Sequence, residues 1–498
     1  MTVFPSILTS RRLWAIAVVT CLTLPWLGGC AINPATGGSM LSLMSPEEER
    51  RIGAQEHPKA VQSFGGLYQN PELARYIDGI GQLLVQTTET PNEKFTFVVL
   101  DSDVVNAFAL PGGYIHVTRG LLALANNEAE AAGVIAHEIG HVVARHGAAR
   151  ASAATLGGIG SLLGGLLLGN VGGQIGQLGA AYGIASYSRD QEFEADSLGV
   201  RYLRRAGFDP EAMSDFLATL QAQSGLEAQI AGRQEDGFDI MASHPRTQDR
   251  VQAAIKEAGA GTPVKNPIEA RDIYLRKIDG MIYGDSPNNG FVRGNRFAHP
   301  TLRFGFEVPQ NFKLINQPDQ VVAKGPQGST ILFSQAEENA APGDYLRKIR
   351  VGGAPLGNIE TLTVNGMVAA TGTLRRNTQQ GPAELRVVAI RFDDNALYQF
   401  LFLVPVQLVS QLDGELRQTV NSFHRLSAQE AAALRPLRIQ VAQVRPGDTI
   451  ESLAERTAFA DHKLQRFMVL NGLREGASLR PGQLIKLVVE GNAAQQGS

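Results

Sequence analysis

The chain is poor in cysteine. Only Cys21 and Cys30 occur among its 498 residues, so residues 31–498 contain no thiol. A disulfide framework is therefore excluded for this part of the chain. Its stability must come from burial of apolar surface, and a chain of this length can supply several separate cores.

An excess of charge of one sign is also lacking. Lys and Arg total 45 and Asp and Glu total 48, which gives a formal net charge of -3 at pH 7, and no long basic run is present. Nucleic acid is therefore not expected as a partner. Long apolar runs are scarce as well, and the run at residues 13–27 is too short for a comfortable membrane span.

The N-terminus has the features of an export signal. Two arginines precede the apolar run at 13–27, and two glycines separate that run from Cys30. This arrangement resembles a bacterial lipoprotein signal. The resemblance implies a signal peptide at 1–29, lipid attachment at Cys30 and a lipidated linker at 30–45. With Ala31 following the cysteine, it also implies the periplasmic face of the outer membrane. A plain secretory signal or a membrane anchor is the alternative.

A His-Glu-x-x-His pattern from His137 to His141 carries the strongest functional signal. Good helix formers surround it, and Asn126 or Asn127 can cap the start of the helix. A spacing of four residues puts both imidazoles on one helix face, where they can hold one zinc ion. Glu138 would lie beside the metal, where it can accept a proton from bound water. A surface helix with two solvated histidines is the alternative.

A third protein ligand is expected downstream, and the acidic cluster within residues 188–196 offers candidates. Glu192 and Asp196 are four residues apart and share a helix face. Glu194 points elsewhere and is predicted to be solvated. A carboxylate pair with this spacing suits one metal ligand and one partner that orients a ligating imidazole. The alternative is that these charges only favour the start of a helix.

Together, the segments at 137–146 and 192–196 resemble the M48 family of zinc metallopeptidases, and the resemblance covers about residues 44–260. It implies a mainly helical zincin (gluzincin) peptidase domain with a small sheet at residues 46–262. It also implies that Glu192 is the third ligand of one zinc ion per chain and that Asp196 orients a ligand.

The same resemblance extends to two further segments. Asn106, Ala107 and Phe108 begin a segment that is similar to the family's strand ahead of the metal helix, which implies an edge for an extended substrate. An ordinary hairpin is the alternative there. The segment from His244 to Arg250 is similar to the family's His-Pro segment and implies contacts to the oxyanion, with His244 closest and Arg250 supporting. His244 could instead bind the metal and keep the resting enzyme inactive.

Residues 151–188 carry no charge and are rich in Gly, Ala and Leu. A single membrane span here would separate Glu192 from the two histidines, which the zinc site forbids. Two closely packed helices near the membrane or the active-site cleft are favoured over a hairpin of two short spans.

The C-terminal half predicts two further domains. In residues 263–296 the pattern predicts a helix at 268–282 and then a linker rich in Gly, Asn and Pro. At 297–427, alternating apolar residues predict a mostly antiparallel sheet, with helices at 345–351 and 406–422, in an α+β domain of unknown role.

Residues 437–489 resemble a LysM module, a small βααβ fold that in many proteins binds glycans such as peptidoglycan. The usual aromatic residue near the first strand is missing, so a structural or protein-docking role stays open. The whole chain is thus predicted to be an α+β multidomain protein.

These features predict a zinc-dependent metalloendopeptidase that hydrolyses unfolded or misassembled cell-envelope proteins, with Glu138 as general base. The expected partners are such substrates, the membrane through lipidated Cys30, and peptidoglycan through the LysM-like module. The alternative is a zinc-bearing chaperone or a peptidoglycan-binding envelope factor with dormant proteolysis.

Overall fold

The structure is a computed structural model that describes residues 30–156, 187–230, 248–260, 263–378 and 381–491. Three sequence predictions fall outside these ranges: the signal peptide at 1–29, the role of His244, and most of the charge-free segment, at 157–186. Helices and sheets are both abundant, as the α+β prediction requires. Within the ranges given, no helix has both the length and the apolar character that crossing a membrane requires.

The described chain begins with a short hairpin. Strands β1 (Cys30–Ile32) and β2 (Ser39–Leu41) pair antiparallel. The turn between them packs on the helical domain that follows, where Asn33 is buried and Ala35 joins the hydrophobic core. The predicted linker at 30–45 is therefore folded in its first part.

The first large domain is mainly helical. Its helices are α1 (Pro46–Ser63), α2 (Pro71–Val85), α3 (Arg119–Leu124), α4 (Glu128–Val143), α5 (His146–Leu156), α6 (Arg189–Ala206), α7 (Ala212–Ile230) and α8 (Gln248–Gly259). A small sheet contains β3 (Thr96–Leu100), β4 (Ala107–Leu110) and β5 (Tyr114–Thr118). Strand β5 is central, parallel to β3 and antiparallel to β4, so β4 is an outer strand.

Helices α4 and α6 have well-defined starts. Asn127 caps α4 by accepting a hydrogen bond from the backbone nitrogen of Glu130 at 2.7 Å. A capping box between Ser188 and Gln191 starts α6, and Gly207 ends it in a left-handed conformation, with φ of 84°. These caps define where each helix begins and where α6 ends.

Two glycines allow α4 and α6 to cross at close range. A Cβ atom on Gly140 would lie 3.1 Å from the carbonyl oxygen of Ala195. A Cβ atom on Gly199 would lie 3.2 Å from the backbone nitrogen of His137. Larger residues at these positions would push the helices apart. The two glycines therefore allow the acidic residues of α6 to lie close to the histidines of α4.

The connecting segment contains less helix than the sequence predicts at 268–282. Helix α9 (Arg271–Ile278) is shorter, and Ile282 belongs instead to strand β6 (Ile282–Tyr283). The helix stops because Gly280 takes a left-handed conformation, with φ of 76°, and Ile282 pairs with Arg438 of the C-terminal module.

The second domain is built on antiparallel sheets. A four-stranded sheet has the order β19-β9-β8-β7, with β7 (Phe291–Arg293), β8 (Arg296–His299), β9 (Phe304–Glu307) and β19 (His424–Arg425). A seven-stranded sheet has the order β10-β11-β12-β18-β17-β16-β15. Its strands are β10 (Lys313–Asn316), β11 (Gln320–Lys324), β12 (Thr330–Gln335), β15 (Gly357–Val364), β16 (Met367–Thr378), β17 (Gly381–Arg391) and β18 (Leu397–Pro405).

The remaining elements of this domain are short. A small hairpin contains β13 (Arg350–Val351) and β14 (Ala354–Pro355), and the helices are α10 (Pro342–Lys348) and α11 (Val409–Ser422). Both helices overlap the predicted ones at 345–351 and 406–422. Helix α11 packs its apolar side on an aromatic core that includes Phe400 and Phe423.

The C-terminal module has the predicted βααβ order. After the short helix α12 (Ala428–Ala433) it contains β20 (Leu437–Gln443), α13 (Ile450–Glu455), α14 (Lys463–Leu470) and β21 (Leu484–Glu490). Strand β20 pairs with β21 on one side and with β6 on the other. The module thus shares a sheet with the segment that follows the helical domain.

A buried lysine fastens this module to the helical domain. Lys486 is fully buried, and its Nζ donates to the carbonyl oxygens of Ala123 at 2.8 Å, Leu124 at 3.2 Å and Ala125 at 2.7 Å. Burial lowers the pKa of the Lys486 ammonium to about 7, although the nearby Glu130 carboxylate opposes the shift. The lysine therefore caps the end of α3, just before helix α4 begins.

Replacing Lys486 with Met should lower the free energy of unfolding by about 2–4 kcal/mol, because three buried carbonyl oxygens would lose their donor. Thermal unfolding of the two purified proteins measures the effect. Lys463→Met is the matched control, since Lys463 lies in the same module and its side chain is 32% exposed. Equal melting temperatures for Lys486→Met and Lys463→Met would contradict this account of the docking.

Candidate metal centre

The three predicted metal ligands converge on one point. His137 and His141 lie one turn apart on α4, and their Nε2 atoms are 3.0 Å from each other. A carboxylate oxygen of Glu192, on α6, lies 3.6 Å from Nε2 of His137, and the other lies 3.5 Å from Nε2 of His141. All three side chains are buried.

This arrangement fits a tetrahedral metal site. Zinc binds imidazole nitrogen and carboxylate oxygen at about 2.0–2.2 Å, so ligand atoms on one ion lie about 3.3 Å apart. The observed separations of 3.0, 3.5 and 3.6 Å bracket this value. Two imidazoles and one carboxylate leave the fourth position for water, as in catalytic zinc sites. The described residues contain this one cluster of at least three possible metal ligands.

Asp196 and Arg250 contact two of the converging donors, and the orienting role of Asp196 stays a prediction. Nδ1 of His137 lies 2.8 Å from the carboxylate of Asp196, which leaves Nε2 to face the metal position. Arg250 donates to both Asp196 oxygens, from Nε at 2.7 Å and from Nη2 at 2.8 Å. Its Nη1 lies 2.6 Å from Glu192. Burial alone would raise the pKa of the Asp196 carboxyl, but the bonds from Arg250 and His137 hold that pKa below its usual value.

Arg250 thus lies between two buried carboxylates, a position that the sequence did not predict. It is 3% exposed and neutralises charge on both Asp196 and Glu192. The supporting contact of Arg250 to an oxyanion stays a prediction, and so does the role of His244, which lies outside the described residues.

Glu138 follows the first ligand on α4 and is fully buried. It is not one of the three converging donors, and its role as the base stays a prediction. Tyr187 lies nearby and was not predicted. Its ring stacks on His141, with 3.9 Å between ring centroids, and burial raises the pKa of Tyr187 to about 12 although the nearby Arg150 opposes the shift.

The imidazole of His141 has a further contact that the sequence did not predict. Its Nδ1 lies 2.9 Å from Nδ1 of His146, and Nε2 of His146 lies 3.2 Å from the carboxylate of Glu194. The other Glu194 oxygen accepts a hydrogen bond from Asn33 at 2.7 Å. Glu194 is 29% exposed. The prediction that Glu194 is solvated is therefore wrong, although it is not one of the converging donors.

The predicted substrate edge lies on strand β4. Ala107 and Phe108 belong to this outer strand, and Asn106 precedes it. Phe108 stacks flat on His116 of β5, with ring centroids 4.5 Å apart. Burial lowers the pKa of His116 to about 3, so this imidazole is neutral at neutral pH. Pairing of β4 with a substrate stays a prediction.

Comparisons with known families agree with both predicted resemblances. Residues 71–258 match the model described as Peptidase family M48, and residues 442–488 match that of the LysM domain. The prediction of an M48-type peptidase domain with a C-terminal LysM module is confirmed.

Curated relatives point the same way. The chain is 32% identical over 271 residues to "Beta-barrel assembly-enhancing protease" of Yersinia pestis, covering 51% of this chain and 53% of the relative. The same name belongs to a relative of Escherichia coli (strain K12), 32% identical over 256 residues, covering 49% of this chain and 50% of the relative. The chain thus spans about half the length of these relatives. "Metalloprotease LoiP" of Escherichia coli (strain K12) is 34% identical over 196 residues, which are 37% of this chain and 69% of the relative.

A solution structure of cyanobacterial PsbP from Synechocystis sp. PCC 6803 aligns with 27% of this chain and 95% of its own, with 13% identity and a TM-score of 0.22. This likeness is too low to assign a fold.

Proposed function

Because this chain belongs to peptidase family M48, we propose that it is a zinc-dependent metalloendopeptidase that hydrolyses unfolded or misassembled cell-envelope proteins. One observation carries the proposal: buried His137, His141 and Glu192 converge on one point, and Glu138 follows the first of them on the same helix. This is the donor set of a hydrolytic zinc site with an acid–base residue beside it.

In the proposed reaction, zinc when bound supplies the Lewis acidity that lowers the pKa of water and polarises the scissile carbonyl. The Glu138 carboxylate accepts the proton of the attacking water and delivers it to the leaving amine nitrogen as the C–N bond breaks. Asp196 keeps the proton of His137 on Nδ1, so that Nε2 stays a ligand.

Substrate binding is proposed to use strand β4. An extended peptide added beside an outer strand is held through its main chain, largely without regard to its sequence. Ala107 and Phe108 would then lie opposite the substrate, and Asn106 would precede the paired residues. A folded substrate has its backbone already paired, so unfolded proteins are the expected substrates.

The proposed location is the periplasmic face of the outer membrane, with lipid on Cys30, because residues 13–30 resemble a lipoprotein signal. The LysM domain suggests peptidoglycan as a further partner. The relatives named for β-barrel assembly make misassembled envelope proteins the favoured substrate class.

A digestion experiment tests the substrate class. One β-barrel envelope protein is offered to the purified protease in two forms, kept unfolded or refolded in detergent. We expect cleavage of the unfolded form and survival of the refolded form. Binding of the unfolded form without cleavage would favour the chaperone alternative, and equal cleavage of both forms would contradict the role assigned to strand β4.

A further inference from the structure

The metal helix ends in a turn that brings another imidazole back to the site. Helix α4 stops at Val143, and Arg145 takes a left-handed conformation, with φ of 55°. Arg145 is held there because its guanidinium bonds Glu49 and also the carbonyl oxygen of Met44 at 2.8 Å. The turn puts His146, the first residue of α5, against the metal ligand His141.

The hydrogen bonds behind His141 have one consistent direction. If Nε2 of His141 faces the metal, its proton is on Nδ1, which donates to Nδ1 of His146 over 2.9 Å. His146 then carries its own proton on Nε2 and donates it to the Glu194 carboxylate over 3.2 Å. The second Glu194 oxygen accepts from Nδ2 of Asn33 over 2.7 Å.

Asn33 is positioned by the N-terminal hairpin. Its Oδ1 accepts from the backbone nitrogen of Ala35 at 2.9 Å, and its own carbonyl oxygen accepts from the nitrogen of Gly37 at 2.8 Å. Ala35 is anchored in the core, and its carbonyl oxygen accepts from Arg201 at 3.4 Å. Asn33 is 8% exposed, so its amide is held in one place.

We propose that Asn33, Glu194 and His146 form a positioning chain for the metal ligand His141, which makes the N-terminal hairpin part of the metal centre. The proposal rests on the proposed zinc peptidase function and deepens it. In this arrangement, each ligating imidazole is supported by a carboxylate. His137 contacts Asp196 directly, and His141 is linked to Glu194 through His146. Such partners fix the tautomer and ring orientation of a ligand.

The role of Asn33 follows from the exposure of Glu194. A carboxylate that is 29% exposed on the surface of α6 can rotate towards water. The amide of Asn33 holds one of its oxygens, so the other stays on His146. These three residues are positioning residues, because they act on the metal only through His141.

Zinc affinity, measured by competition with a chelator in the purified protein, tests the chain without any assay of proteolysis. We expect Glu194→Gln and Asn33→Asp each to weaken zinc binding about 10-fold. Asn33→Asp keeps the shape and the acceptor for Ala35 but replaces the donor to Glu194 with a like charge. Matched controls are Asp190→Asn, an exposed carboxylate on the same helix, and Thr36→Ala in the same hairpin turn.

A second readout separates positioning from general loss of structure. In the cobalt-substituted protein, the visible absorption bands report ligand geometry, and we expect them to change in Glu194→Gln and Asn33→Asp but not in the controls. We expect the melting temperature of the metal-free protein to be unchanged in Glu194→Gln and in both controls, and lower in Asn33→Asp, because this variant places a second carboxylate beside Glu194 at a buried position. Wild-type zinc affinity together with unchanged cobalt spectra in both test variants would overturn the proposal. A protein that binds zinc with these shifts but cleaves nothing would keep the positioning chain and remove the proposed function.

Discussion

Replacing Glu138 with Gln is expected to lower the cleavage rate of an unfolded protein by roughly 10³-fold, the middle of the range for loss of a general base. The amide cannot accept the proton of the attacking water. Zinc content should stay at the wild-type value, because the three converging donors are His137, His141 and Glu192.

The substitution isolates chemistry from folding. Glu138 is fully buried, and Gln has nearly the same shape without a charge to desolvate, so stability should not fall. Glu128→Gln is the matched control, because it removes a carboxylate from the first turn of the same helix, where Glu128 bonds Tyr76. We expect this control to cleave at the wild-type rate. Wild-type cleavage by Glu138→Gln would contradict the assignment of Glu138 as the base.

Replacing Arg250 with Met is expected to cost about 3–5 kcal/mol of stability, because two buried carboxylates would lose their cation. Asp196 is 3% exposed and Glu192 is 1% exposed, so water cannot replace the guanidinium. We also expect zinc affinity to fall at least about 10-fold, since Arg250 holds both a metal ligand and the partner of His137.

The same variant distinguishes two roles of Arg250. If the guanidinium mainly supports an oxyanion, as the family resemblance implies, Arg250→Met keeps its zinc affinity and loses turnover. If it mainly holds Asp196 and Glu192, zinc affinity and melting temperature fall together. Arg189→Met is the control, because Arg189 is 62% exposed in a surface pair with Asp249. That control should change stability by less than about 0.5 kcal/mol.

The metal site could be predicted because its residues follow helical spacing. His137 and His141 are four residues apart, and so are Glu192 and Asp196, which fixes a shared face for each pair once the helices are identified. The close crossing that brings the two pairs together depends on Gly140 and Gly199. No spacing rule marks those glycines, and here the family resemblance supplied what periodicity could not.

The support behind His141 could not be predicted, because none of its links follows a local rule. His146 returns to His141 only through the left-handed residue Arg145. Asn33 is 161 positions away from Glu194 in sequence. Glu194 lies between Glu192 and Asp196 in the sequence, and nothing in that position indicates its partners His146 and Asn33.

The C-terminal module illustrates the same limit. Its βααβ order is implied by the resemblance to a LysM module, and the observed elements match it. The packing of this module on the helical domain could not be predicted from the sequence. Lys486 has the sequence context of an ordinary strand residue and yet is fully buried against Ala123 and Ala125. Burial of a lysine depends on acceptors from another domain, which the local pattern does not contain.

A zinc titration of the metal-free protein tests the central claim most directly. Zinc is removed with a chelator, added back in small steps, and the cleavage of an unfolded protein is measured at each step. The three-ligand site predicts that cleavage returns in proportion to zinc and is complete at one equivalent per chain. Cleavage that persists without zinc, or no cleavage after one equivalent has bound, would contradict the account.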